Sequence, residues 1–259
     1  MSFDLQELGL TPQLAAAFAA IGEADLTLAR VAAQHRGRYL IYGQDGELDA
    51  VPSGRLRHHA SPLGFPAVGD WVAVRVSPGT SLIEQVLPRS SAFTRSAADP
   101  DRPDAVARAE VVAANADLVL IVTAAHLDLN FRRLERFLAA GWESGAEPVV
   151  VLTKIDLAPD PGRLLSLIAQ TAPGVRVIGV SNVTGEGVEE VRGLIGRGRT
   201  AGLLGSSGVG KSSLVNRLLG EARQATLEVR GDGRGRHATT RRGSQDNNAK
   251  HDVEPATDA

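Results

Sequence analysis

Hydrophobic and polar positions change texture twice along the chain. In "FDLQELGLTPQLAAAFAAI" (residues 3–21) apolar residues recur at helical spacing, with Thr11 placed to cap and Pro12 at the first helical position. Residues 1–27 are therefore expected to form a helical arm or cover. From Leu28 to Phe93 the pattern becomes short runs broken by turn residues. Trp71, Ala73 and Arg75 alternate with Val72, Val74 and Val76, and Asp45-Gly46 separates two strand-like runs. Such short, closely spaced strands predict a small antiparallel β-barrel, OB-like, over residues 28–93. "DAVPSGRLRH" within it is taken as one of these runs, and "TRSAADPDRPDAVARAE" (94–110), rich in Pro, Asp and Arg, as a linker.

Beyond the linker the runs lengthen and lose their alternation. "ADLVLIVTA" (116–124), "EPVVVLTK" (147–154), "GVRVIGVS" (174–181) and "TAGLLGS" (200–206) are nearly continuous apolar stretches, the mark of strands buried on both faces. Between them, Phe131, Leu134 and Leu138, then Leu164, Leu165 and Ile168, repeat at helical spacing. Strand alternating with helix predicts an α/β domain with a parallel sheet, binding its ligand at the carboxyl ends of the strands.

Composition narrows the chemistry. The chain has 259 residues, 43% of them hydrophobic, enough for two cores. Cysteine is absent, which excludes disulfides, thiolate catalysis and cysteine-ligated zinc within this chain. The first twenty residues have no basic start, and no apolar run approaches the ~20 residues a membrane span needs. A cytoplasmic protein with no membrane partner is expected. The net charge of -2 gives no overall nucleic-acid signature.

The segment "GSSGVGKSS" carries the strongest chemical signal. Gly205, Ser206, Ser207, Gly208, Val209, Gly210, Lys211 and Ser212 satisfy G-x-x-x-x-G-K-[ST], with Ser213 following, and the motif has the apolar strand before it and the helical run after it that it requires. Small residues let backbone N–H groups curl round phosphates, Lys211 reaches the outer phosphates, and Ser212 is placed to ligate Mg²⁺. Two further strand ends select the base. In "TKID" (Thr153, Lys154, Ile155, Asp156) the Asp156 carboxylate can accept both N1–H and N2–H of guanine, where adenine presents an acceptor at N1. The Lys154 stem can lie along the base plane. In "SNVTGEG", Ser181 and Asn182 close the next strand and offer the Asn182 N–H to guanine O6. Taken together these read as a site for GTP or GDP; an ATP site is disfavoured by Asp156.

The motifs run TKID, SNVTGEG, GSSGVGKS, with the phosphate loop last instead of first. With the barrel ahead of it and with "SGRLRH", "FPAVGDWVAV", "VLPRSSAFTR", "NFRRLERFLAAGWESGAEPVVVLTKIDL" and "GRGRHATTRR", the chain resembles the RsgA (YjeQ) family of circularly permuted, ribosome-associated GTPases. The resemblance implies a GTPase domain over 111–242, using GTP/GDP and Mg²⁺ in late maturation of the 30S subunit. It also implies that the barrel meets 16S rRNA and that the protein works as a monomer. In "GRHATT" it gives His237 the task of positioning or activating the attacking water, and Thr239 or Thr240 that of a Mg²⁺ ligand. On the residues alone, a histidine in such a loop is merely exposed.

Two departures from the family pattern are visible. Thr153 stands where guanine motifs carry Asn. After Arg242 no D-x-P-G segment follows, and "GSQDNNAKHDVEPATDA" (243–259) is expected to be a disordered tail. The expectation is a GTPase domain lacking its last strands, with weakened turnover. The alternative is an RNA-binding barrel joined to a nucleotide domain that binds without appreciable hydrolysis. For RNA, Arg36, Arg38, Arg55 and Arg57 are the leading candidates within a locally basic set that includes Arg30, His35, His58, His59, Arg75 and Arg89. Tyr39, Tyr42, Phe65 and Trp71 are the aromatics available either to stack on bases or to fill the barrel.

Overall fold

The computed structural model describes residues 2–35, 37–97, 108–125 and 129–220. The arm is a turn-rich segment followed by α1 (Pro12–Ala19), whose Thr11 hydroxyl accepts from Leu14 N as the sequence predicts. Five strands then close a barrel in the order β1-β2-β3-β5-β4: β1 (Thr27–His35), β2 (Arg38–Gly43), β3 (Gly46–Pro52), β4 (Trp71–Arg75) and β5 (Ser81–Val86). Neighbours are antiparallel except β3 and β5, which pair parallel.

Strand β4 is buried on both sides, although its alternation predicts one wet face. Val72 and Val74 pack inside the barrel with Ala29, Val31, Tyr39, Ile41 and Ile83. Trp71 and Ala73 point the other way, and the arm covers them with Leu8 and Leu14. The arm thus removes from water a face that a free barrel would expose. Burial also corrects the aromatic assignment: Trp71, Tyr39 and Tyr42 are core residues, leaving Phe65 as the one half-buried member of that set.

Two local expectations change. Residues 54–59 form a short helix, α2 (Gly54–His59), because the Ser53 hydroxyl accepts from Leu56 N and ends β3 at Pro52. The ends of the expected linker are strand: β6 (Ala92–Ala97) pairs antiparallel with β7 (Arg108–Ala114), an arrangement reinforced by the Arg95–Glu110 ion pair. That pairing joins residues on either side of a Pro/Asp-rich stretch, which local composition does not reveal.

The second domain is a parallel sheet of β8 (Leu118–Ala124), β9 (Glu147–Thr153), β10 (Arg176–Val180) and β11 (Ala201–Leu204), in the order β10-β9-β8-β11. Helices α3 (Phe131–Ser144) and α4 (Pro161–Thr171) cover one face through Leu134, Leu138 and Ile168. Helices α5 (Val188–Ile195) and α6 (Lys211–Leu219) cover the other through Val188, Val191 and Leu214. The chain winds outward from β8 to β10, then crosses back to place β11 on the far side of β8. That reversal makes the crevice between β8 and β11 the topological switch point, where α/β sheets bind ligands.

The domains are joined at Asn115, one of two non-glycine residues with positive φ among those described. Its side-chain oxygen accepts from Ser90 N, and its amide nitrogen donates to Gly69 O. Arg30 reaches the same place from β1. Its guanidinium donates to Leu8 O, Gly69 O and Asn115 O and lies 5.6 Å from the Trp71 ring, so one side chain binds arm, barrel and sheet domain together.

Candidate functional site

The phosphate loop sits at the switch point. Strand β11 delivers Gly205 against β8, where a Cβ would stand 2.3 Å from Val122 O, so only glycine can pass. Gly208 and Gly210 have φ of 78° and 92°, conformations that L side chains resist. Val209 turns inward to the core, anchoring the loop, and α6 begins at Lys211 with Leu214 and Val215 buried. Lys211 Nζ donates to Gly205 O and Ser206 O at 2.7 and 2.6 Å. Two of its three donors hold the loop mouth shut on itself, and burial pushes its proton affinity below the usual lysine range. Ser212 and Ser213 lie half-buried on the first turn of α6, beside the helix's positive end.

The two base-reading motifs converge on this loop. Thr153 ends β9 fully buried, and its hydroxyl donates to Val209 O, the closer of two carbonyls in reach, the other being Thr123 O. The threonine that stands where guanine motifs carry Asn thus links the strand end to the phosphate loop. Lys154 takes a left-handed conformation (φ 58°), which turns the chain sharply into a 3-10 turn and leaves Asp156 exposed just beyond the end of β9. Ile155 is buried against α4 and anchors that turn, so of the four TKID residues Lys154 and Asp156 are the ones that keep access to solvent.

Ser181 is likewise structural. Its buried hydroxyl accepts from Val183 N and Thr184 N, folding "SNVTGEG" back on itself. Asn182 Nδ2 donates to Gly210 O at 3.3 Å, tying this loop also to the phosphate loop, while Asn182 Oδ1 is buried with no donor among the described residues. The six residues expected at guanine thus divide evenly. Thr153, Ile155 and Ser181 are buried, whereas Lys154 and Asn182 are half-buried and Asp156 is exposed.

Two arginines that the sequence reading did not single out touch the same loops. Arg133, in the first turn of α3, donates to Ser206 Oγ at 2.9 Å. Arg217, on α6, donates to Asn182 O and Val183 O at 2.7 and 2.8 Å. For Arg133 a signal existed, since the start of a helix following a parallel strand is where such sheets bind ligands. His237, Thr239 and Thr240 lie outside the described residues. So does Arg36.

On the barrel, several arginines expected to meet RNA are engaged internally. Arg30 is half-buried at the domain junction, and desolvation, partly offset by Asp117 and Asp70, brings its pKa down to about 10. Arg89 pairs with buried Asp70, and Arg75 with Glu23, Asp25 and Glu84. Arg38, Arg55, Arg57, His35, His58 and His59 remain exposed, four of them on α2. An open groove of about 670 Å³ runs beside that helix, lined by Arg55, His59, Gly64 and Arg89 among others.

The RsgA GTPase family model matches residues 86–250. The chain belongs to that family. It is 40% identical over 251 residues to small ribosomal subunit biogenesis GTPase RsgA 2 of Lactiplantibacillus plantarum, covering 93% of this chain and 67% of that protein. A relative named small ribosomal subunit biogenesis GTPase RsgA, from Streptomyces coelicolor, is 40% identical over 92% of this chain and 64% of its own length. The crystal structure of YjeQ from Thermotoga maritima matches with a TM-score of 0.59 and 25% identity, covering 74% of this chain and 65% of that one. That of YloQ, described as a circularly permuted GTPase, matches with a TM-score of 0.55 and 18% identity over 75% of this chain and 64% of its own, and supports the fold. The chain spans about two thirds of the length of these relatives. The chain thus joins a closed five-stranded barrel to a parallel-sheet domain of the circularly permuted GTPase fold, in agreement with the order of motifs in the sequence. Among the described residues no helix is long and apolar enough to cross a membrane.

Proposed function

We propose that this chain binds GTP and GDP at the β8–β11 crevice and hydrolyses GTP in maturation of the small ribosomal subunit. The observation that carries the reading is convergence: Thr153 and Asn182, one from each base-reading motif, are both hydrogen-bonded to the phosphate loop, at Val209 and Gly210. Phosphate and base recognition therefore share one rigid frame, with Asp156 exposed just beyond the end of β9 to receive a purine.

In the proposed reaction a water oxygen attacks the γ-phosphorus, the bond to the β-phosphate oxygen breaks, and GDP and phosphate leave. The loop amides and Lys211 would neutralise charge on the phosphate oxygens, Lys211 exchanging its two carbonyl partners for them. By family resemblance His237 would position the water. The described residues contain no cluster of three or more His, Asp or Glu that could hold a metal unaided. That fits Mg²⁺, which binds through one or two protein oxygens and the substrate's phosphates. Ser212 would supply one such oxygen, with Thr239 or Thr240 another, and the ion would add positive charge where the leaving oxygen develops negative charge.

The exposed cations of α2, with Arg38, form the face proposed for 16S rRNA. Ion pairs with phosphates are salt-dependent, so reversing Arg38, Arg55 and Arg57 to Glu should weaken binding to 30S subunits and flatten its dependence on salt by about one unit of log–log slope for each phosphate no longer paired. The deciding experiment on the whole is GDP and ADP titration, followed by GTP turnover with and without 30S subunits. Preference for GDP and stimulation by the subunit support the proposal; equal binding of ADP, or turnover indifferent to the subunit, overturns it.

A further inference from the structure

Buried and half-buried backbone groups need partners, and in the SNVTGEG loop those partners can be followed amide by amide. Val183 N and Thr184 N donate to Ser181 Oγ, Gly185 N to Ser181 O, and Glu186 N to Thr184 Oγ1. The carbonyls of Asn182 and Val183 find no partner within the loop and are taken instead by Arg217, through Nε at 2.7 Å and Nη2 at 2.8 Å. The amides of Asn182 and Gly187 meet no acceptor among the described residues, and Asn182 is the one whose side chain reaches the phosphate loop.

Arg217 is itself braced. It stands six residues beyond Lys211, about 9 Å along the same helix. Behind it, Arg192 of α5 donates to Arg217 O at 2.8 Å and to Leu218 O at 3.3 Å, and is paired with Glu189. Since α5 grows directly from the loop, a closed circuit runs from loop to α5, through Arg192 to the end of α6, and through Arg217 back to the loop.

We infer that Arg217 is a positioning residue for base specificity: by fixing the carbonyls of Asn182 and Val183 it holds the chain that follows the Asn182 N–H, while Gly185 N holds the Ser181 carbonyl of the same peptide plane, and so keeps that N–H toward the 6-oxo group of a bound purine. This rests on the guanine reading above. Its planar fork suits the task, because two parallel donors fix the plane of the loop where a single ammonium would fix a point. Arg217 is exposed, so its removal leaves the core of α6, Leu214 and Val215, intact.

The test is a titration of the full chain and of Arg217→Ala and Arg217→Lys with two ligands, GDP and 6-thioguanosine 5′-diphosphate, which keeps N1–H and N2–H but carries a weakly accepting sulfur in place of the 6-oxo oxygen. Wild type should favour GDP. In Arg217→Ala, GDP affinity should fall about tenfold, the worth of one well-placed hydrogen bond, while affinity for the analogue stays within about twofold. Arg217→Lys should recover part of the preference. A role confined to stability would weaken both ligands alike, and that result overturns the inference, as does a preference unchanged in Arg217→Ala. If wild type binds ADP as well as GDP, the guanine reading fails and takes the inference with it. If wild type prefers GDP to ADP and Arg217→Ala keeps the wild-type margin between GDP and the analogue, only the inference fails.

Discussion

The Thr153 hydroxyl donates to the carbonyl oxygen of Val209, joining the end of the strand that carries the base-reading residues to the turn of the phosphate loop. Because Thr153 is fully buried, that carbonyl has no recourse to water if the hydroxyl is removed. Thr153→Val keeps the shape and removes the donor, which should cost about 1–3 kcal/mol of stability. GDP binding should weaken as the loop loses its anchor, while Thr153→Ser, which retains the hydroxyl, should stay near wild type. Chemical denaturation and GDP titration of both variants check this; equal behaviour of Val and Ser at the position would remove the bond from any role.

Two glycines of the SNVTGEG loop offer a controlled comparison. Gly185 and Gly187 both have positive φ, at 87° and 73°. A Cβ on Gly185 meets open space, whereas one on Gly187 would stand 1.9 Å from Gly179 O. Gly185→Ala should therefore cost only the conformational strain, about 1–2 kcal/mol. Gly187→Ala must also push β10 and the loop apart, so its destabilisation should be clearly larger and GDP affinity should drop with it. Thermal melts ranking the two variants equally would contradict the close approach.

Lys211 links nucleotide binding to pH. Burial holds its proton affinity below the ordinary lysine value of 10.5 in the free chain. Bound phosphate favours the charged form, so binding raises that affinity and takes up a proton wherever the free chain has lost one. GDP affinity should be level at neutral pH and fall as pH rises toward the lysine range, with proton uptake visible as a buffer-dependent heat in calorimetry. Lys211→Arg, which keeps its charge throughout, should show no such fall from this source; an identical alkaline decline in that variant would assign it to another group.

The sheet domain was legible because its strands are buried on both faces, and "LVLIVTA" and "VVVLT" leave no other reading. The phosphate loop was legible because glycine is required at Gly205, Gly208 and Gly210 by geometry the motif encodes. Side-chain roles at the strand ends were less so: Thr153, Ile155 and Ser181 share a motif with Asp156 or Asn182, yet turn inward. Trp71 was ambiguous since alternation shows that one face of a strand is buried and cannot show that an arm covers the other. Hydrogen bonds such as Arg217 to Asn182 and Arg30 to Asn115 join residues far apart in the chain and leave no local pattern.

Arg30 makes the last prediction. Its three nitrogens serve three carbonyls from separate parts of the molecule, Leu8 in the arm, Gly69 in the barrel and Asn115 at the start of the sheet domain. Lysine carries the same charge but a single nitrogen, and cannot span the three directions or lie flat near Trp71. Arg30→Lys should therefore leave buried carbonyls unpaired and cost about 1.5–3 kcal/mol, although the substitution conserves charge. The arm should loosen first, so limited proteolysis near α1 should quicken before the sheet domain melts. Arg38→Lys, at an exposed barrel position, is the control and should change stability by less than about 0.5 kcal/mol. If both variants melt alike and the arm keeps its resistance to protease, Arg30 does not bind the domains together.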